Sequence, residues 1–533
     1  MENKLERKYG LFTAICMVVG IVIGSGVFFK AQAILTKTGG DMPLAILAWL
    51  IGGAIMLVCL ITFSFMSQKY ERVNGMVDYA ESTVGPRYGY YMGWFIATIY
   101  FPSMTAALAW LTARYTLEFI VSVNPDFKMI IPAAEGGCVI GPECMALTLF
   151  VLCAVYALNV LSPKKGGKLQ TSTTIIKMIP LTLMAVVGMV YGLASGQLQE
   201  NMTTTAEVAS VSSNPLFASV CATAFAYEGW IIATSINSEI KDSKKNLPKA
   251  LVIGGFIIIA VYIFYYIGVA GGASNQDLID KGATIAFTNI FGSVLGNILN
   301  LFIAISCLGT ANGLMMGCSR CMYSIANRGE GPDPEMFGQV DKRTNMPGNS
   351  AVFALLVTSA WFLYFYLSNL AGTWSGPFVF DPTELPIISV YLMYIPIFIQ
   401  WMRKETEEGV LRRYIFPIMA IAGSAFMVLA SIISHRIGCL WYAIVFAVIM
   451  VIGIVLESAA DLQKNASKKI NPRRFVDTGL YRLVRCPNYL GEMIFWTGVL
   501  ISGIGAITGV GQWIVVLVGY IGIIFVMFSG ARR

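Results

Sequence analysis

Three polar features lie inside long apolar runs, where each carries a cost that function has to justify. The first is Gly24-Ser25-Gly26, midway along the apolar run 11 to 35. Each glycine lowers helix stability by about 1 kcal/mol and leaves the backbone uncovered. Bare amides are costly in lipid, so an unwound segment persists only where protein or a polar cavity meets it. If the helix breaks here, its second half begins with free N–H groups at Ser25, Gly26 and Val27, a ready site for a small carboxylate. The alternative is a Gly-x-x-x-Gly packing face made by Gly20 and Gly24. The second feature is Glu228, in Ala222-Thr223-Ala224-Phe225-Ala226-Tyr227-Glu228-Gly229-Trp230. A carboxylate at that depth holds a ligand's ammonium, carries a proton, or caps a broken helix. Third comes Lys177, about nine residues into its apolar run, hence about 13 Å deep at about 1.5 Å per residue and beyond easy snorkelling. Such an ammonium either substitutes for a coupling cation, bridging a broken helix to its neighbours, or titrates. Pro180, one turn on, allows a kink that frees the carbonyl of Ile176. Phe225, beside the second break, is an apolar plate suited to closing over a small ligand, with core packing as the alternative.

Only a membrane positions such groups in this way. The chain has 533 residues, 56% hydrophobic and 13% charged, far from the balance of a soluble globular protein. Residues 1 to 8 are polar and charged, and the first apolar run exceeds a signal-peptide core, so no cleavable signal is expected. Spanning runs recur near 11–35, 43–66, 88–113, 144–161, 169–193, 215–237, 248–271, 289–318, 350–370, 385–402, 412–434 and 437–456, with two more near 489–508 and 511–529. With the N-terminus in the cytoplasm, the inner loops hold most of the basic residues, among them Arg72, Lys164, Lys165, Lys244, Lys245, Lys342 and Arg343. The outer loops hold few, such as Lys128, Lys281 and Arg436. The net charge of +7 is therefore a matter of topology, and no nucleic-acid partner is expected.

Five spans separate the starts of the two interrupted helices. Because five is odd, the second copy enters the membrane upside down, as in an inverted repeat with its site between the copies at the midplane. Of eleven cysteines, most lie in apolar spans, where they act as small hydrophobes. Cys138 and Cys144 share a loop and can pair if it faces an oxidising compartment. Cys318 and Cys321 read as two thiols one turn apart, and the single histidine, His435, as loop polarity, so no metal site is expected.

These residues resemble the amino acid/polyamine/organocation transporter superfamily, and within it the bacterial L-amino-acid-transporter-like exchangers. The resemblance covers about residues 8 to 455. It rests on Gly24-Ser25-Gly26, on Gly166-Gly167-Lys168-Leu169-Gln170 leading to Lys177, on Phe225 to Trp230, and on Glu239-Ile240-Lys241 with Lys244-Lys245-Asn246-Leu247-Pro248. It implies an all-α polytopic membrane protein: a five-plus-five inverted-repeat core with the first and sixth helices broken, two further helices, and alternating access. It also implies a substrate site at Val22, Gly24, Ser25, Gly26, Phe225, Ala226, Tyr227 and Glu228. Amides of Ser25 and Gly26 would take a carboxylate, and carbonyls of Val22, Phe225 and Glu228 an ammonium. Phe225 becomes a gate and Lys177 an internal replacement for sodium.

The tail differs. Pro472 to Glu492, with Arg485-Cys486-Pro487-Asn488-Tyr489, resembles the cofactor-binding end of membrane enzymes related to isoprenylcysteine methyltransferases and steroid reductases. Cys486 stands where those families show histidine, and two helices enclose no nucleotide cofactor alone, so a partial module without cofactor is expected. The division is 1–456 as permease, 457–474 as basic linker, and 475–533 as a two-helix appendage. The leading expectation is secondary transport of small neutral amino acids across the cell membrane, by sodium-independent exchange or proton-coupled uptake. The rival is a methyltransferase or reductase in the tail, anchored by everything before it. No catalytic residue is expected, and the partners expected are an amino acid substrate and the lipid bilayer.

Overall fold

The structure, a computed structural model, describes residues 7, 9–24, 26–70, 74–207, 214–374, 376–452, 517 and 519–521. The expected linker and two-helix appendage lie outside the described residues.

Among those residues the twelve expected spans are helical. The first is split into Leu11–Val22 and Gly26–Lys37, set at 40° to one another. Then come Met42–Lys69, Pro86–Val123, Gly137–Leu161, Pro163–Ser195, Pro215–Ser235, Ser243–Gly272, Ser293–Ala326, Gly348–Leu370, Leu385–Lys404, Leu411–His435 and the shorter Ile437–Ile452. Local chemistry sets several starts. Pro86, Pro142, Pro163 and Pro215 occupy first turns, where a missing N–H costs no hydrogen bond. Asp41 caps the second span, its carboxylate accepting from the Leu44 amide at 2.9 Å.

The fifth span shows how one helix serves two solvents. Gln170, Thr173, Thr174 and Lys177 repeat at helical spacing and are buried, whereas Ile175, Ile179, Val186 and Val190 are exposed where lipid would lie. The third span is buried throughout its apolar stretch. Pro180 does not stop the fifth helix, which continues to Leu183 and then loosens into a π-helical turn at Met184–Gly188.

Packing carries the repeat. The first span packs on the seventh as the sixth packs on the second, the second meets the seventh, and the third meets the eighth. Each relation maps onto another, or onto itself, when five spans are added or subtracted. The core is thus a five-plus-five inverted repeat, with the eleventh span leaning on the second, sixth and tenth. We call the end where the chain begins the near end and its opposite the far end. The loop pairing that the sequence allowed is not formed: Cys138 and Cys144 are both free, and Cys138 Sγ lies against Met129 Sδ at 3.5 Å.

Candidate functional site: two broken helices around a small cavity

The first helix ends at Val22. Ile23, at φ −73° and ψ 82°, closes an inverse γ-turn in which the Gly24 amide donates to Val22 O at 2.8 Å. A helix that stops in apolar surroundings strands its last carbonyls, so each needs a donor. Lys177 Nζ donates to Gly20 O at 2.6 Å and Ile23 O at 2.5 Å, with Ser306 O at 3.4 Å. Ser306 Oγ approaches Ile23 O at 3.3 Å and Gly24 O at 3.2 Å, and Thr310 Oγ1 reaches Gly20 O at 3.4 Å. Fully buried, the ammonium thus ties the fifth span to the first break and to the eighth span.

The glycines do a second job at the same place. A Cβ on Gly20 would lie 1.9 Å from Thr174 Oγ1, one on Gly24 2.8 Å from Thr310 Oγ1, and one on Gly26 2.5 Å from Ala226 Cα. Breakage and close packing are therefore not alternatives here: three glycines admit three different spans to the break. Ser25 lies outside the described residues.

At the second break Glu228 turns extended and Gly229 takes φ +105°, a conformation that glycine adopts without a Cβ penalty. Glu228 is buried, and its Oε1 accepts from the Tyr100 hydroxyl at 2.7 Å, with Tyr391 beside it. Tyr100 ends a π-helical turn, Ile96–Tyr100, in the third span, a local irregularity common at functional sites. Tyr262 joins the two breaks: its hydroxyl is 2.8 Å from Val22 O and 2.9 Å from Ala226 O, and its one proton serves either. Replacing it, Tyr262→Phe, removes that one shared donor, at a cost of about 1–3 kcal/mol. The variant is expected to insert and to unfold at a temperature several degrees lower, as read by thermal denaturation in detergent.

Between the breaks lies a cavity of about 20 Å³, room for about one water. Of the expected residues, Val22, Gly24, Gly26, Phe225 and Glu228 line it. Ala226 and Tyr227 do not: Ala226 packs on Gly26, and the Tyr227 hydroxyl donates to Trp49 O at 2.9 Å, toward the second span. Tyr100, Gly229, Thr310 and the apolar Ile21, Met104, Leu108 and Leu314 complete the walls.

Both ends are shut. At the far end Lys30, in the second half of the first span, forms a buried ion pair with Glu384, and its ammonium lies 5.2 Å from the Phe225 ring centre. His435 Nε2 is 2.9 Å from the other carboxylate oxygen, so the histidine is part of this buried cluster and not loop polarity alone. At the near end Tyr9 bridges to Glu239–Lys241, with Tyr9 N donating to Glu239 O at 3.0 Å and Lys241 N to Tyr9 O at 2.8 Å. Behind it the wholly buried Arg320 and Glu239 pair.

A site between two interrupted, inverted helices, closed at both ends, is matched by what the chain is similar to. The family model described as "Amino acid permease" matches residues 9–456. The chain belongs to this family. The serine/threonine exchanger SteT of Bacillus subtilis (strain 168) is 28% identical over 451 residues, 82% of this permease and 94% of that protein. The Asc-type amino acid transporter 1 of Mus musculus is 24% identical, covering 82% of the permease and 78% of itself. The crystal structure of MhsT in complex with L-phenylalanine shares the fold, with a TM-score of 0.55 at 12% identity over 81% of the permease and 99% of that chain. A second family model, "Protein of unknown function (DUF1295)", matches residues 394–533, including the tail that resembles membrane reductases.

Sequence reasoning missed several residues that hold this permease together. Lys30 gave the same signal as Lys177, a charge inside an apolar run, and went unused. Its partner Glu384 lies 354 positions away and gave none. Tyr100 and Tyr262 look like packing aromatics until the carboxylate and carbonyls they serve are in view.

Proposed function

We propose that the permease moves small neutral amino acids across the cytoplasmic membrane by alternating access, with its N-terminus inside. Coupling is by sodium-independent exchange or proton-coupled uptake. The observation that carries this reading is the Lys177 ammonium on the carbonyls of Gly20 and Ile23, where a helix broken in apolar surroundings would otherwise need a bound cation. Support for the substrate class comes from the relatives, an exchanger of serine and threonine among them. The Met104, Leu108 and Leu314 walls suit a short uncharged side chain.

In this reading the amides of Ser25 and Gly26 take the substrate carboxylate. The carbonyls of Val22, Phe225 and Glu228 take its ammonium, displacing the Tyr262 proton from Val22 O. A cavity of about 20 Å³ is too small for an amino acid, so binding requires the half-helices to move apart at one end. Release of Lys30 from Glu384 would open the far end, and release of Tyr9 from the segment Glu239–Lys241 the near end. Domains 1–456 and 475–533, joined by 457–474, are the proposed division, with transport in the first.

The test is uptake in proteoliposomes from a panel of labelled amino acids, with and without internal amino acid, with sodium replaced, and with a pH gradient. Trans-stimulation by serine or alanine without sodium is expected. A requirement for sodium, or uptake lost when residues 457–533 are removed from a protein that still inserts, would overturn the assignment. Within the same assay Phe225→Ala should reduce transport far more than expression, because a plate that closes over ligand acts in the occluded state. Equal losses of both would return Phe225 to core packing.

A further inference from the structure

The far-end closure holds more than an ion pair. Cys221 Sγ, Glu384 Oε2 and His435 Nε2 all lie within 4.8 Å of one another. His435 Nε2 is 2.9 Å and Cys221 Sγ 4.0 Å from Glu384 Oε2, while Lys30 occupies the other oxygen, Oε1. The three come from the first half of the sixth span, the head of the tenth and the end of the eleventh, and converge at one depth. Cys221 and Glu384 are buried, and His435 keeps 17% of its side-chain surface exposed, a route of access from the far end.

From this convergence we propose that Cys221, Glu384 and His435 form a site for one zinc-class transition-metal dication, which clamps the far end of the permease shut. Thiolate, imidazole and carboxylate together are the donor set of zinc rather than of calcium or magnesium, which take oxygen alone. A tetrahedral ion with bonds of about 2.0–2.3 Å holds its ligands about 3.3–3.8 Å apart. The observed 2.9 and 4.0 Å straddle that range and the third separation is within 4.8 Å, so side-chain shifts of up to about an ångström bring the three donors onto one ion. On binding, Cys221 gives its thiol proton to solvent, and its thiolate, the Glu384 carboxylate and a halide at the fourth position together offset the two charges of the ion and the one of Lys30. Lys30 stays on Oε1. The fourth position, which the halide fills, faces the exposed side of His435.

The consequence is mechanical. Cys221 lies one helical turn before Phe225, so an ion shared with Glu384 and His435 ties the segment bearing Phe225 to the tenth and eleventh spans. Metal binding stands apart from the transport reading, whereas the clamp rests on it, and the two arms of the test separate them.

Full-length, tag-free protein is titrated with Co²⁺, whose thiolate-to-metal charge-transfer band reports sulfur ligation. One Co²⁺ per chain with that band is expected, displaced by Zn²⁺. The band should vanish in Cys221→Ser, and affinity should fall about tenfold or more in His435→Gln. No band in the parent, a band retained in Cys221→Ser, or unchanged affinity in His435→Gln overturns the site. The parent spectrum alone decides the matter if a variant fails to fold. In the second arm, Zn²⁺ added at the far end should inhibit uptake in the parent, reversibly with EDTA, and should leave uptake by Cys221→Ser the same with and without the ion. Uptake unaffected by Zn²⁺ in a Co²⁺-binding protein overturns the clamp. A parent that binds Co²⁺ but takes up no amino acid overturns the transport reading and leaves the site standing.

Discussion

Gly26→Leu is expected to insert into the membrane and to lose amino acid uptake by about one to two orders of magnitude. A Cβ at this position would sit 2.5 Å from Ala226 Cα and 2.9 Å from its Cβ, well inside van der Waals contact. Backbone is on both sides of the clash, so no rotamer relieves it, and the two half-helices must separate. Overpacking of this kind costs about 1–3 kcal/mol, which corresponds to about 5- to 150-fold in an equilibrium between states. The leucine would also project toward the amides proposed to take the substrate carboxylate, so binding and closure fail together. Gly26→Ala should show the same defect at smaller size. Gly348→Ala, where nothing lies within 4 Å, should leave uptake unchanged. Substrate affinity and initial rates measured in proteoliposomes, normalised to inserted protein, check all three. Normal affinity in a well-folded Gly26→Leu protein would remove the first break from the substrate site.

How far this site could be read from the chain follows from the range of each signal. The spans and both breaks were legible because apolar length and mid-span glycine are local, lipid-imposed features. The link from Lys177 to the first break was legible for the same reason: a deep charge needs acceptors, and a broken helix is where free carbonyls are found. By contrast, the sequence leaves Gly24 a choice between breaking and packing, and only the Thr310 hydroxyl, 2.8 Å from where a Cβ would stand, shows that it does both. Tyr227 sits inside the motif that carries the resemblance, yet its hydroxyl faces Trp49 and the second span. Motif membership marks a segment of backbone, and helix rotation decides which of its side chains meet the cavity. The far-end cluster was beyond reach altogether. It joins residues 30, 221, 384 and 435, and nothing local at Glu384 or His435 tells a buried pair from a polar loop.

Removal of the buried ammonium should have the largest effect on cycling. In Lys177→Ala the carbonyls of Gly20 and Ile23 lose their 2.6 and 2.5 Å donor. Ser306 and Thr310, at 3.2–3.4 Å, remain as weaker substitutes. Losing the stronger donor of two buried carbonyls costs about 1 kcal/mol each, about 2 kcal/mol together, which corresponds to about 30-fold. That energy belongs to the link between the fifth span, the first break and the eighth span, and so to the coupling between the two sides of the cavity. Transport is therefore expected to fall by about that factor or more while insertion persists. Lys177→Arg should not rescue it, because a forked guanidinium does not fit where a single Nζ reaches two carbonyls of one turn. Exchange kinetics measured separately from each membrane face check the claim. Unimpaired exchange on both faces in Lys177→Ala would reduce the lysine to a structural fastener. Sodium stimulation of the unaltered protein would mean that the position of a coupling cation is not the one Lys177 fills.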